Sequence, residues 1–447
     1  MKKFLRLLAV VGFVATNSFG ANKLSSPNII FILADDLGIG NISCYGADNF
    51  KTPRIDALAK GGIRFEHCYA QPLCGPSRAQ LLTGRYAYHT GMTGNDSGSL
   101  IHPQNETMIP KMLKPAGYIS GMCGKWGQLP LQPSDFNFDE YLRFQGSGVY
   151  WPDDANGGVS YVENGRTKKL PQKKYMPDLM HEFLIDFITR HREQPFYFYY
   201  SLSHVHRNVP HLSMRPTPDS VPETKTLFRD NIEYMDKLVG QLVDELERLK
   251  LREKTLLIFV GDNGTAGGEA EQSTVRGRQI SGHKGEMLEG GSLVPMIANW
   301  PGTVPAGKVL EDLVDFSDYL PTFAELSGAK LPASVPIDGR SFAPQLLGKK
   351  GNPRDWIFVE LGRHWYAREA NWKLHENGEL FDMHGAPFEE KLISVEAQNT
   401  EAKEARKRLQ VVLDQLNPAG GKRDPGDGSG RHDKAKKTKK KNKATKV

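Results

Sequence analysis

The chain has 447 residues, 39% hydrophobic and 25% charged, with 45 Gly and 28 Pro. Roughly two or three domains fit that length, and apolar blocks throughout without fixed-period self-similarity exclude a disordered chain and a repeat array. The formal net charge of +6 misdescribes the globular part, because the 11 Lys/Arg and 3 Asp between Lys422 and Lys446 carry +8 and residues 21–421 sum to −5; a nucleic-acid-binding fold is not implied.

In chain order, Lys2, Lys3 and Arg6 precede an apolar run at 7–14 and the small-x-small site Ser18-Phe19-Gly20. Residues 1–20 therefore read as a secretory signal, and a periplasmic or secreted protein is expected. No later segment approaches the ~18 apolar residues of a transmembrane span. Four cysteines (Cys44, Cys68, Cys74, Cys123) imply no disulfide framework. Residues 28–34 are apolar without alternation, as expected of a strand covered on both faces of a parallel sheet. Residues 196–202 and 256–260 are two further strands of this kind. Between them Phe228, Ile232, Met235, Val239, Leu242, Leu246 and Leu249 recur every three or four residues and predict a helix over about 225–250. This alternation predicts an α/β catalytic domain over residues 24–328, with a large mixed, mostly parallel sheet sandwiched by helices. Pro- and Gly-rich residues 329–355 read as a connector. Short strands at 356–361, 364–368, 371–376 and 379–382, with Asn377-Gly378 as a hairpin turn, and a polar helix over 389–416 predict a smaller antiparallel subdomain over 329–416. Residues 417–447 read as a disordered, Lys-rich tail.

The strand ends carry the chemistry. Asp35-Asp36 follow the first strand, His204-Val205-His206 the second and Asp262-Asn263 the third. In an open parallel sheet the carboxyl ends share one edge, so a single convergent site is expected there. Asp35, Asp36, Asp262 and Asn263 offer only oxygen ligands, which selects a hard cation over zinc. Pro76 suits the first turn of a helix and places Cys74 at or just before its N-terminus, where an anion is favoured. Arg78, one turn on, adds a charge-assisted donor.

Cys74-Gly75-Pro76-Ser77-Arg78, followed by Thr83-Gly84-Arg85, resembles in full the signature of the type I sulfatases of the alkaline phosphatase-like superfamily. Asp35-Asp36-Leu37-Gly38, Cys44-Tyr45-Gly46, Thr52-Pro53-Arg54-Ile55-Asp56, Gly124-Lys125-Trp126, Asp262-Asn263-Gly264, Glu289-Gly290-Gly291 and Glu379-Leu380-Phe381-Asp382 fall in the family's order, so the resemblance spans about residues 26–390. It implies a sulfuric ester hydrolase that releases inorganic sulfate. Cys74 would be oxidised to formylglycine by a separate formylglycine-generating or anaerobic sulfatase-maturating enzyme. The hydrated aldehyde would have one hydroxyl to attack sulfur and a second to expel sulfate, which a serine lacks. Asp35, Asp36, Asp262 and Asn263 would hold Ca2+ together with an oxygen of residue 74. Lys125 and Lys284 would grip the sulfate. His206 would protonate the leaving alkoxide, with His204 a competitor and His211 a weaker one. A sulfated carbohydrate is the expected substrate class, on the strength of an exported chain with aromatic insertions such as Tyr150-Trp151-Pro152.

Two positions depart from the family pattern. Gly127 stands where a His often follows Gly-Lys-Trp, and neither it nor Gln128 is a base. Leu293 replaces an Arg common after Glu-Gly-Gly. Two rival readings remain: a metal-dependent phosphatase or phosphodiesterase of the same superfamily, and a non-catalytic sulfoglycan-binding homologue. The Lys-rich tail is expected to be solvated; its functional version is an electrostatic tether to a sulfated polymer or an acidic envelope.

Overall fold

The computed structural model describes residues 26–127, 129–144, 146–152, 158–206 and 224–424. The signal segment 1–20, Gln128, His211 and the Lys-rich residues from 425 onward lie outside the described residues. Ten strands make the larger sheet: β1 (Asn28–Ala34), β2 (Ile63–Tyr69), β3 (Ile119–Lys125), β4 (Glu140–Phe144), β5 (Ser160–Glu163), β6 (Arg166–Lys169), β7 (Phe196–Ser201), β8 (Thr255–Gly261), β9 (Leu293–Asn299) and β10 (Lys308–Asp315). Their order is β10-β2-β9-β8-β1-β7-β3-β4-β5-β6. Only β5 and β9 run against the other eight, which makes the sheet mixed but mostly parallel.

The unbroken apolar character of β1 has a direct cause. Ile30, Ile32 and Ala34 face one hydrophobic cluster, and Ile29, Phe31 and Leu33 face another. Both faces are covered, so alternation would bury polar groups. The helices in the two layers include α1 (Pro53–Lys60), α2 (Cys74–Thr83), α3 (Met176–Arg190), α4 (Thr224–Arg248) and α5 (Tyr319–Ser327). The apolar stripe of α4, from Phe228 to Leu246, lies in the first cluster beside Leu184 and Phe187 of α3. Phe323 of α5 lies in the second.

A second, antiparallel sheet has the order β11 (Ile357–Leu361), β12 (His364–Arg368), β13 (Trp372–His375), β14 (Leu380–Asp382), β15 (Lys391–Ile393). Against it packs α6 (Thr400–Leu416) through Ala402, Ala405, Leu409 and Leu413. The helix expected from residue 389 begins eleven residues later. Residues 391–393 pair with β14 instead, and Asn399 caps the real start by accepting from Ala402 N at 2.8 Å.

Candidate active site

Registry brings the site together. β1 pairs in parallel with β8, Ala34 opposite Gly261, and with β7, Leu33 opposite Ser201. β7 in turn pairs with β3, Gly124 opposite Ser201. The four central strands therefore end level, and Asp262-Asn263, Asp35-Asp36, His206 and Lys125 emerge side by side at one edge. β2 runs the same way, and its exit loop delivers Cys74 as the first residue of α2 at that edge. All ten residues of α2 are buried.

Carboxylate O atoms of Asp35 and Asp262 and the Sγ of Cys74 lie within 4.8 Å of one another. Around them the cations are paired in a fixed pattern. Lys125 Nζ donates to both oxygens of Asp35 at 2.7 and 2.8 Å. Arg78 donates from Nε and Nη2 to Asp262 Oδ2 at 3.1 and 2.7 Å. Its Nη1 serves Ser201 Oγ, Tyr199 OH and the Lys125 carbonyl. Lys284 Nζ donates to Asp36 Oδ1, while His206 Nε2 stands 3.8 Å from Asp36 Oδ2. Asp36 N donates to Asp262 Oδ1 at 3.0 Å, and Asn263 Nδ2 donates to Asp36 Oδ1 at 3.0 Å. All nine predicted site residues thus meet in one cluster. Arg78, expected to face the sulfate, spends its guanidinium on Asp262 and the β3–β7 strand ends.

Burial and charge set the protonation pattern. Burial opposes ionisation of Asp35, but Lys125 and Arg78 outweigh it and hold its carboxyl well below the usual carboxylate range. Burial and the neighbouring charge of Asp35 push Asp262 up to about 7, against Arg78 and Lys125. Burial lowers the His206 pKa, with Lys125 and Lys284 adding to it and Asp35 and Asp36 opposing. Lys284 stays fully charged, because Asp36 more than offsets its burial.

The donor set suits a hard divalent ion. It offers carboxylates and one amide, with no imidazole among the four strand-end residues. Asn263 Oδ1 is buried without a hydrogen-bond partner, an acceptor oriented for something other than a protein donor. With Asp262 ionised, as a bound divalent ion would favour, three carboxylates and three cations cancel in this cluster and the ion would leave it near +2, an attraction for an anion.

Several expectations are refined by side-chain placement. His204 and His206 are separated by the turn after β7. His204 is fully buried among Tyr150, Tyr175 and Tyr234, its Nε2 3.1 Å from Tyr175 OH, whereas His206 faces Asp36. Tyr150, expected as a platform for sugar rings, is buried and donates to the carbonyls of Ser203 and His206 at 2.7 and 2.8 Å. It braces the His206 turn and offers no ring face to solvent. Gly127 has φ +75, and a Cβ there would lie 3.3 Å from Arg78 Cδ; a side chain at 127 would be strained and would crowd Arg78. Leu293 opens β9 in the core, and Glu289 takes its cation from Arg368 of β12, at 3.0 Å.

Asn95 went unnoticed in the sequence. Its Oδ1 accepts from Gly75 N at 2.9 Å and lies 3.7 Å from Cys74 Sγ. An Asn in a Gly- and Ser-rich loop has too many ordinary turn roles to stand out.

A mixed sheet between helix layers, with acidic and basic groups converging at the strand ends, fits the alkaline phosphatase-like hydrolases. The Sulfatase family model matches residues 27–329. Arylsulfatase A of Homo sapiens is 32% identical over 389 residues, covering 78% of this chain and 74% of that protein. N-acetylgalactosamine-6-sulfatase of Canis lupus familiaris is 32% identical over 413 residues, covering 83% and 78%. The crystal structure of Ps i-CgsB superposes with a TM-score of 0.76 at 28% identity, covering 88% of this chain and 92% of that one. The chain belongs to the sulfatase family and is a sulfatase.

Proposed function

We propose that the enzyme releases inorganic sulfate from a sulfated carbohydrate, with residue 74 converted to formylglycine and calcium held by Asp35, Asp36, Asp262 and Asn263. The observation that carries this reading is the convergence of Cys74 Sγ, standing here for the formylglycine oxygen, with the Asp35 and Asp262 carboxylates inside 4.8 Å. When present, formylglycine supplies the nucleophilic hydroxyl and calcium the Lewis acid that polarises the sulfate. The chain's own groups do the rest. Lys125 and Lys284 bring positive charge to the sulfate oxygens. His206 gives the departing alkoxide its proton from Nε2, a step worth typically ~10²–10⁴-fold for a poor leaving group; its position 3.8 Å from Asp36 Oδ2, at the edge of the cluster, supports this role. Arg78 keeps Asp262 oriented.

A carbohydrate is supported by two relatives. Ps i-CgsB, 28% identical, has a structure in complex with k-i-k-neocarrahexaose, and a 32% identical relative is named N-acetylgalactosamine-6-sulfatase. Export and a maturation enzyme belong to the same reading. Among the described residues no helix is long and apolar enough to cross a membrane.

The test is mass spectrometry of the peptide containing residue 74 after coexpression with a maturation enzyme, coupled to sulfate release from a panel of sulfated glycans. Conversion at 74 with calcium-dependent release is expected; an unmodified thiol with full activity overturns the reading. Gly127 is the observation behind binding without turnover, and fully converted protein that binds a glycan yet releases no sulfate would establish that rival. The tether belongs to this reading too: deletion of 425–447 should weaken retention on a sulfated polymer at low salt, and unchanged retention ends it.

A further inference from the structure

Between Thr90 and Ile109 the chain has neither helix nor strand, and this stretch carries Asn95. A segment of that length without regular structure holds its shape only through tie points. Its inner tie is Asn95 on Gly75 and Cys74. A local one is Ser97 Oγ, which accepts from Gly94 N and donates to Gly94 O. Gly362 N of the β11–β12 turn donates to Thr93 O at 2.8 Å before Asn95, and the outer tie after Asn95 comes from more than 300 residues away in sequence. After α6 the chain turns at Pro418–Gly420 and runs back over Tyr88. A Cβ on Gly421 would lie 2.6 Å from Tyr88 Cβ, so the two segments are in direct contact. Lys422 N donates to Tyr88 O at 2.8 Å, and Lys422 Nζ stands 3.7 Å from Glu106 Oε1. Asp424 then closes on the loop. Its Oδ2 accepts from Gly98 N at 2.7 Å and Leu100 N at 3.3 Å, and its Oδ1 accepts from Ser99 Oγ at 2.8 Å.

We propose that residues 418–424 form a latch in which Asp424 is a positioning residue: by holding Gly98, Ser99 and Leu100 it seats Asn95 against residue 74. Three donors on one carboxylate fix the outer end of the loop, and hydrogen bonds to a charged acceptor are the stronger kind. Only two residues, Asp96 and Ser97, separate Asn95 from Gly98, so little slack remains between the two ties. At the inner end Asn95 Oδ1 receives the Gly75 N–H and faces the side chain of residue 74, which limits both the rotamers of that side chain and access to it. The small sheet and α6 thereby act on the nucleophile through the segment 418–424 that follows them. This rests on the reading of residue 74 as the reacting residue.

The test uses the full-length protein with Cys74 unconverted, so it does not depend on sulfate turnover. Amide hydrogen exchange over 92–101 and the rate of Cys74 alkylation by iodoacetamide, read on its peptide, are compared in wild type, Asp424→Ala, Asp424→Asn and a chain lacking 425–447. Asp424→Ala should raise exchange at Gly98 and Leu100 and speed Cys74 alkylation, each about tenfold, with exchange in β1 and β8 unchanged. Asp424→Asn, which keeps an acceptor oxygen, should recover most of the loss. Deletion of 425–447 should change neither, since the latch remains. Faster loop exchange without faster alkylation overturns the positioning role. So does exchange rising evenly across the whole chain, which would make Asp424 a general stabiliser. If alkylation responds as expected but converted enzyme releases no sulfate, the latch stands and the catalytic reading falls.

Discussion

Lys125 shows how much one side chain decides. It is wholly buried at the end of β3, and its ammonium sits on both oxygens of an equally buried Asp35. Removing one partner of such a pair strands the other charge in low dielectric, a loss of about 3–5 kcal/mol. Lys125→Met should therefore destabilise the enzyme by that order in EDTA. In excess calcium the deficit should shrink, because an ion on Asp35 would take over the neutralising role. Urea unfolding in the two buffers measures it; equal deficits would mean that no ion reaches Asp35. At this scale the site was largely legible, because eight of its nine residues stood at strand ends or in a full motif, with Lys284 in a turn between two glycines as the ninth. What was not legible was partner choice. Arg78 turns to Asp262, His204 turns inward to Tyr175, and Asn95 arrives from a loop with no signature.

At the scale of elements, level strand ends do the positioning. β8, β1, β7 and β3 lie side by side in parallel register, so polar residues that are far apart in the chain emerge along one edge. The seam between β3 and β7 leaves no room for a side chain at Gly124, which has φ +106 and whose added Cβ would meet Ser201 O at 1.8 Å. Gly124→Ala should part the two strands and carry Lys125 away from Asp35. It should cost about 3 kcal/mol or more in thermal or urea unfolding; a loss below 1 kcal/mol would show that the seam yields easily. The strongly apolar strands and α4 were readable from composition and period. The four short strands expected over 356–382 also formed, as β11 to β14, whereas β15 and the start of α6 were not readable, since residues 391–393 carry no apolar period and become a strand only by pairing with β14.

At the scale of the molecule, the two sheets are joined at the active-site loop. Gln71, three residues before Cys74, accepts from Glu360 N of β11 at 2.7 Å, and Glu289 at the foot of β9 binds Arg368 of β12. In this junction Glu360 is buried, and its Oε2 lacks a hydrogen-bond partner. Burial pushes its carboxyl up to about 8 from 4.5. Between those values the folded protein binds a proton that the unfolded chain does not, so stability falls as pH rises through the window and levels off above it. The loss is at most about 5 kcal/mol. Glu360→Gln, which cannot ionise, should flatten the unfolding free energy between pH 5 and pH 8 and raise it at pH 8. A pH profile identical to that of wild type would refute the assignment.

By itself the sequence determined the class of sheet, the ligand types at its edge and the motif that opens α2, because unbroken apolar strands, oxygen donors and a Pro after Cys74 are properties of the local chain. Only the tertiary structure decided which charge meets which, that Tyr150 braces a turn instead of facing a ligand, and that Asp424 returns to the loop beside residue 74. Those outcomes depend on contacts between residues from fifty to more than three hundred positions apart, and no local pattern encodes which of many equivalent carboxylates or hydroxyls will meet.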